Sequence, residues 1–227
     1  QENPANTTAT TQMEWGYAIL KASATDGSQN ITIKNCAITM STNTAAYAIY
    51  SNNHTPASST QLTVTAPEGT NSNNKFFNVN ISNSYNGIYL YGYNASSPYQ
   101  YYDQNNEIGV GGTNSISSLG GGTTASYGIY CIYQNNLKIA NNNITGTSLN
   151  TSGAQYGIYI GTSVNSNIDV FNNTISLTHN GTGSFYGIYS LGAASGTSNT
   201  TNIYNNSILN CNAPNLTSGT WYGLYMY

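Results

Sequence analysis

The chain has 227 residues, of which only 5% are charged: four Lys, no Arg and seven Asp or Glu, for a net charge of −3. So little basic charge excludes the phosphate-neutralising surface on which nucleic-acid binding depends, and no apolar run approaches the roughly 20 residues that cross a bilayer as a helix. In place of charge stand 36 Asn, 29 Thr, 26 Ser and 21 Tyr, a composition that points to an extracellular or cell-surface location. The chain opens at Gln1 with no basic or apolar leader, so it is read as a mature product or a piece of a longer one.

Residues 1–14 form a polar segment, flexible or an assembly arm, ahead of a single domain over 15–227. From there one short word recurs: Tyr17-Ala18-Ile19-Leu20, Tyr47-Ala48-Ile49-Tyr50, Asn86-Gly87-Ile88-Tyr89, Tyr127-Gly128-Ile129-Tyr130, Tyr156-Gly157-Ile158-Tyr159, Tyr186-Gly187-Ile188-Tyr189 and Tyr222-Gly223-Leu224-Tyr225. The starts are 30, 39, 41, 29, 30 and 36 residues apart. Between them lies a second word, apolar-x-Asn-x-x-Ile, at Ile33–Ile38, Phe76–Ile81, Ile139–Ile144, Val170–Ile175 and Ile203–Ile208. The third interval carries only a Gly-rich approximation, Val110–Ile116, one residue too long.

Two short β-type words per period, joined by Gly, Ser, Asn and Thr, leave no room for an amphipathic helix. Equivalent strands of successive periods then stack in parallel, about 4.8 Å apart. The expected fold is all-β, a parallel β-helix (β-solenoid) of about six coils. Strict alternation puts the Ile column and the first-position tyrosines on the core face, with the small residue and the fourth-position tyrosine outside; the opposite assignment stays open, since Tyr serves either face. The Asn at the third position of the second word, Asn35, Asn78, Asn141, Asn172 and Asn205, suits a left-handed corner and a side-chain amide ladder from coil to coil.

The texture of Asn136-Leu137-Lys138-Ile139-Ala140-Asn141-Asn142-Asn143-Ile144 and Asn167-Ile168-Asp169-Val170-Phe171-Asn172-Asn173-Thr174-Ile175 resembles the right-handed parallel β-helix repeats of pectin-lyase-like secreted proteins, over residues 15–227. The resemblance implies a right-handed coil. It implies no single activity, because that family includes polysaccharide lyases, hydrolases, tailspikes, adhesins and non-enzymatic surface proteins.

The residues do not assemble into a catalytic pattern. Glu2, Glu14, Asp26, Glu68, Asp103, Glu107 and Asp169 are spread about one per coil, whereas polyuronate-cleaving members of the family cluster their acids. Asp103 and Glu107, the closest pair, are read as a solvated loop. Lys138 and Asp169 fall in one column and predict a surface ion pair. His54 and His179 stand alone in polar loops, and Cys36, Cys131 and Cys211 fit neither a disulfide framework nor a zinc site. No catalytic, metal or cofactor residue is assigned, and the protein is expected not to be an enzyme.

What remains is assembly and binding. The first and last words place Trp15, Tyr17, Ile19, Trp221, Tyr222, Leu224 and Tyr225 at two uncapped ends, as a head-to-tail homopolymer would require. Twelve Asn-x-Ser/Thr triplets, at Asn6, Asn30, Asn53, Asn80, Asn94, Asn143, Asn150, Asn172, Asn180, Asn199, Asn205 and Asn215, are candidate glycan attachments, though so many Asn, Ser and Thr produce most of them by chance. Tyr91, Tyr93, Tyr99, Tyr101 and Tyr102 form a candidate platform for sugars. The expected function is a structural subunit of an extracellular filament or appendage, with a carbohydrate-binding adhesin module, or a fragment of a longer surface β-helix, as the alternative.

Overall fold

The computed structural model of the protein describes residues 3, 5, 6, 8, 11–41, 46–192, 199–217 and 219–227; Glu2 lies outside them. In chain order the strands are β1 (Trp15–Ile19), β2 (Thr32–Thr39), β3 (Tyr47–Ser51), β4 (Lys75–Ser84), β5 (Asn86–Tyr91), β6 (Asp103–Gln104), β7 (Glu107–Ile108), β8 (Asn114–Leu119) and β9 (Ser126–Ile132). They continue with β10 (Gln134–Asn135), β11 (Leu137–Ala140), β12 (Asn142–Ser148), β13 (Gln155–Ile160), β14 (Ile168–Phe171), β15 (Thr174–His179), β16 (Phe185–Ser190), β17 (Thr201–Tyr204), β18 (Ser207–Ile208) and β19 (Trp221–Met226). All ladders between named strands are parallel, and they wind into a β-solenoid of about six turns.

The first word builds one wall, a seven-stranded sheet in the order β1-β3-β5-β9-β13-β16-β19. The second word builds the opposite side, which bends in two. Before the bend run the first part of β4, then β7, β11, β14 and β17; after it run the second part of β4, then β8, β12, β15 and β18, with β2 alongside β4. The bend falls on Asn35, Asn78, Asn141, Asn172 and Asn205, all at φ between 53° and 56°. Asn accepts this left-handed conformation at lower cost than most residues because its short amide bonds locally.

Apolar side chains from the three wall segments fill the interior as columns. Ile49, Ile88, Ile129, Ile158 and Ile188 face Ile81, Ile116, Ile144 and Ile175, all buried. Alternation within the first word differs from the sequence expectation. Tyr156 and Tyr159 both lie on the outer side, half-buried, while Gly157 and Ile158 are both buried between them. The glycine drops out of the pairing register, which runs Tyr156↔Tyr186 and then Ile158↔Ile188. A side chain there has no room: a methyl built on Gly157 would sit 2.5 Å from the Gly187 carbonyl oxygen and 3.0 Å from Ile175. This one-residue slip moves the first-position tyrosines out of the core and beside the fourth-position column.

Two more expectations shift. In β1 it is Trp15 that pairs with Tyr47 and Tyr17 that pairs with Ile49, so the first copy of the word is Trp15-Gly16-Tyr17-Ala18, two residues earlier than the text match. Gly16 confirms the alignment, because its missing methyl would strike the Ala48 carbonyl as that of Gly157 would strike Gly187. In the third interval the apolar slot belongs to Ile108, paired with Ile139, and not to Val110; residues 109–113 bulge out before Asn114 rejoins the ladder beside Asn142.

Candidate functional site

The outer side of the seven-stranded sheet carries two rows of stacked aromatic rings. One row runs the length of the solenoid: Trp15, Tyr50, Tyr89, Tyr130, Tyr159, Tyr189 and Tyr225, with successive centroids 5.3, 5.8, 4.3, 5.0, 5.2 and 4.7 Å apart and planes within 16° of parallel. The second row, Tyr127, Tyr156, Tyr186 and Tyr222, stacks at 5.1, 4.8 and 5.8 Å. Edge-on contacts such as Tyr127–Tyr130 (4.9 Å) and Tyr156–Tyr159 (5.2 Å) join the rows. Parallel strand spacing sets this geometry, since identical residues in register repeat at about 4.8 Å, and offset stacks with edge-to-face neighbours are the arrangement aromatic quadrupoles favour.

Within a row each interior ring has both faces against its neighbours, so it offers solvent an edge and a hydroxyl. Bare ring faces occur at the row ends, on Trp15 at one end and on Tyr225 and Tyr222 at the other. Burial pushes the hydroxyl pKa of Tyr89, Tyr127, Tyr130 and Tyr156 above the usual tyrosine value, which keeps these rings neutral.

The two ends also expose apolar groups that are buried elsewhere in the stack. Leu224 is 47% exposed, whereas Ile188, its partner one coil earlier, is 1% exposed. Trp221, Tyr222 and Met226 are exposed beside it, and Tyr225 is half-buried. At the other end Trp15 and Tyr17 are exposed and Ile19 is buried. Tyr17 occupies the Ile column, and its hydroxyl reaches Cys36 Sγ on β2 at 3.7 Å, so the ring lies across the open end of the core. Gly223 adds a further feature. A methyl on Gly187 would meet the Gly223 carbonyl oxygen at 2.5 Å, yet one on Gly223 would find nothing nearer than 3.7 Å.

The amide ladder sits one residue beyond the asparagines expected to form it. Asn114, Asn142, Asn173 and Asn206 form an interior column, linked Nδ2 to Oδ1 at 2.9, 2.8 and 2.9 Å. Their amides also donate to Phe76, Ile108, Ile139 and Val170 carbonyls. The left-handed asparagines bond more sparsely, Asn78 to Asn35 Oδ1 at 3.2 Å and Asn141 to the Gly109 carbonyl at 3.1 Å. A second corner escaped the sequence expectation: Asn30, Asn73, Asn105 and Asn136 also have positive φ, each three residues before the first apolar position of the second word. That spacing was visible in the repeat. Beside this corner the buried Asn106 accepts the Asn74 backbone N–H and donates to Gln134 Oε1, both at 2.9 Å.

Among the twelve triplets, Asn53 and Asn150 are buried, their amides donating to the Leu62 carbonyl and to Ser126 Oγ; neither can carry a glycan on the folded chain. Asn30, Asn80, Asn94, Asn172, Asn180, Asn205 and Asn215 are exposed, and Asn6, Asn143 and Asn199 are half-buried. Of the five tyrosines expected as a sugar platform, Tyr102 is buried, stacked on Tyr133, and Tyr91 packs against the edge of the same ring. Tyr93, Tyr99 and Tyr101 remain half-exposed.

The charged residues are arranged differently from the expected solvated loop. Glu107 lies in β7, in register with both Lys75 and Lys138, and Lys138 is in register with Asp169, so the column alternates in sign. Lys75 Nζ is 3.1 Å from Glu107 Oε2, while Asp169 accepts from Asn202 Nδ2 at 2.8 Å. Glu107, Lys138 and Asp169 of this column line a groove of about 330 Å³ together with Asn105, Asn136, Asn167 and Leu137. Asp103 is fully buried, its Oδ1 3.7 Å from Lys21 Nζ and accepting the Asn71 backbone N–H at 2.8 Å. Neither histidine is in a solvated loop. His54 bonds the Tyr50 hydroxyl and the Thr55 carbonyl; His179 ends β15 between Ser148 Oγ and the Gly183 carbonyl, its pKa lowered by burial. The three cysteines are free, Cys131 buried and Cys36 and Cys211 half-buried, and among the described residues no group of three or more His, Cys, Asp or Glu could hold a metal ion.

Comparison with family models, with curated proteins and with solved structures finds no match to this chain.

Proposed function

We propose that the protein is a structural, non-enzymatic subunit of an extracellular or cell-surface filament, in which β19 of one copy pairs in parallel with β1 of the next. The supporting observation is that the long aromatic row fills every interior ring face and leaves bare faces at its two ends, in line with the unpaired edges of β1 and β19. Continuing the register observed between β1 and β3 and between β16 and β19 would set Trp15 on Tyr222, Tyr17 on Leu224, Ala18 on Tyr225 and Ile19 on Met226. The exposed Trp15 and Tyr17 at one end then meet the exposed Tyr222 and Leu224 at the other. Gly223 would take the close backbone approach that its fellow glycines already take inside the stack.

The seven-stranded sheet has one row more than the six-row bent wall, where β2 and β4 start the series. A joint between β19 and β1 therefore leaves one row open in that wall. A contact of this heterologous kind does not close on itself, so it yields filaments. Sugar stacking, the other function considered, needs bare ring faces, which the two rows offer only at their ends. Light scattering across a concentration series tests the proposal: mass should grow with concentration for the natural chain and stay monomeric for Leu224→Lys, whose ammonium would be buried unpaired in the joint. Equal growth in both would remove the joint.

A further inference from the structure

Lys21 and Asp103 are out of character with the rest of the molecule. The interior satisfies its polar groups with neutral amides, yet here two of only 11 charged residues have side chains with no exposure at all, Nζ lying 3.7 Å from Oδ1. Burying an ion pair costs more desolvation than an Asn–Gln pair would, and such pairs are poor stabilisers for that reason. Lys21 follows β1 in the first coil and Asp103 forms β6 two coils later, 82 residues on in sequence. Their surroundings are dry and directional. Nζ donates to the Gly69 carbonyl at 2.5 Å, and the carboxylate accepts the Asn71 backbone N–H at 2.8 Å and Gln134 Nε2 at 3.3 Å.

We propose that Lys21 and Asp103 form a self-modifying site, in which the two side chains condense to an intramolecular isopeptide bond. The ammonium first passes a proton to the carboxylate, giving a neutral amine and a carboxylic acid. Burial favours both neutral forms, lowering the lysine pKa and raising that of the aspartate against the opposing pull of their charges. The Nζ lone pair then attacks Cγ and forms the C–N bond. Each carboxyl oxygen already has its own donor, the Asn71 N–H on Oδ1 and Gln134 Nε2 on Oδ2, so the oxygen that gains charge has one donor aimed at it, in the manner of an oxyanion hole. The C–OH bond breaks, and the hydroxyl leaves with a proton from nitrogen as one water; no oxidant or co-reactant enters. The product exchanges a buried ion pair for a neutral amide and ties the first coil to a later one across the coil between.

The natural chain, purified folded and held for a prolonged incubation, is analysed intact under denaturing conditions and then mapped with trypsin. The expected mass is lower than that of the sequence by one water. Trypsin does not cleave after an acylated lysine, so residues 1–34 should emerge joined to 76–138 as a branched peptide. Cyclisation of Gln1 would lose ammonia instead and leave 1–21 as a separate peptide. Lys21→Met, which removes the nucleophile and keeps an unbranched chain, should show no water deficit. A natural chain of full mass that releases a free peptide ending at Lys21 overturns the proposal, as does a water deficit mapped to any other pair.

Discussion

Asn142 Nδ2 donates to Oδ1 of Asn173 on the following coil at 2.8 Å, and the same oxygen accepts the Asn142 backbone N–H at 3.0 Å. Asn173 makes the same double contact with Asn206, and Asn114 donates its amide to Asn142 Oδ1, which is how a nearly uncharged chain satisfies a polar interior. Asn142→Leu would strip donors from the Ile108 and Ala140 carbonyls and leave the Asn114 amide without one of its two acceptors. The expected loss is about 1–3 kcal/mol for each buried group left unpaired, read from urea unfolding. Asn141, at φ 55°, has a different role: Asn141→Leu should lose about 1–2 kcal/mol to left-handed strain, and Asn141→Gly should lose less. If Asn142→Leu proved harmless, the column would be incidental to stability.

The glycines separate folding from assembly. Gly157→Val places a branched side chain where even a methyl lies 2.5 Å from a carbonyl oxygen, and overpacking of this kind costs about 1–3 kcal/mol or more. At Gly223 the first side-chain carbon meets nothing nearer than 3.7 Å in the single chain, so Gly223→Val has room that Gly157→Val lacks. Its melting temperature should match the natural chain measured as a monomer, while its assembly is lost. Intact assembly of Gly223→Val would show that no coil packs on β19.

Alkaline pH should destabilise the fold through the tyrosine rows. In the unfolded chain the hydroxyls ionise near 10.0; in the native chain burial holds those of Tyr89, Tyr127, Tyr130 and Tyr156 higher, and that of Tyr102 is pushed up to about 12. Above pH 10 the unfolded state therefore binds fewer protons than the native one, so this contribution is fully present below that pH and is lost as pH rises through the native values. Tyrosinate absorbance of the folded chain should lag behind that of the denatured chain. A single transition near pH 10 for all the tyrosines would contradict the packing of the rows.

Much of the architecture was legible in the repeat. Two words per period and Asn at a corner suffice to give parallel stacking, the bend at Asn141 and Asn172, and the Ile columns. What the words could not convey is where alternation slips. Gly157 lets the backbone fold two successive residues inward, a consequence of contact with Gly187 on the next coil, so pattern alone placed Tyr156 in the core. Spelling matches Tyr17 to the first position, whereas backbone pairing puts Trp15 there, opposite Tyr47, with Gly16 close against the Ala48 carbonyl. Lys21 and Asp103 were unreadable as a pair: 82 residues apart, they meet only through the stacking of coils whose lengths differ.

The most direct test of end-to-end stacking is negative-stain electron microscopy of the purified chain over a rising concentration series. The proposed joint predicts unbranched filaments with an axial repeat of about 34 Å, the height of seven strands at about 4.8 Å each, absent for Leu224→Lys. Discrete particles of single-chain size at every concentration would contradict it.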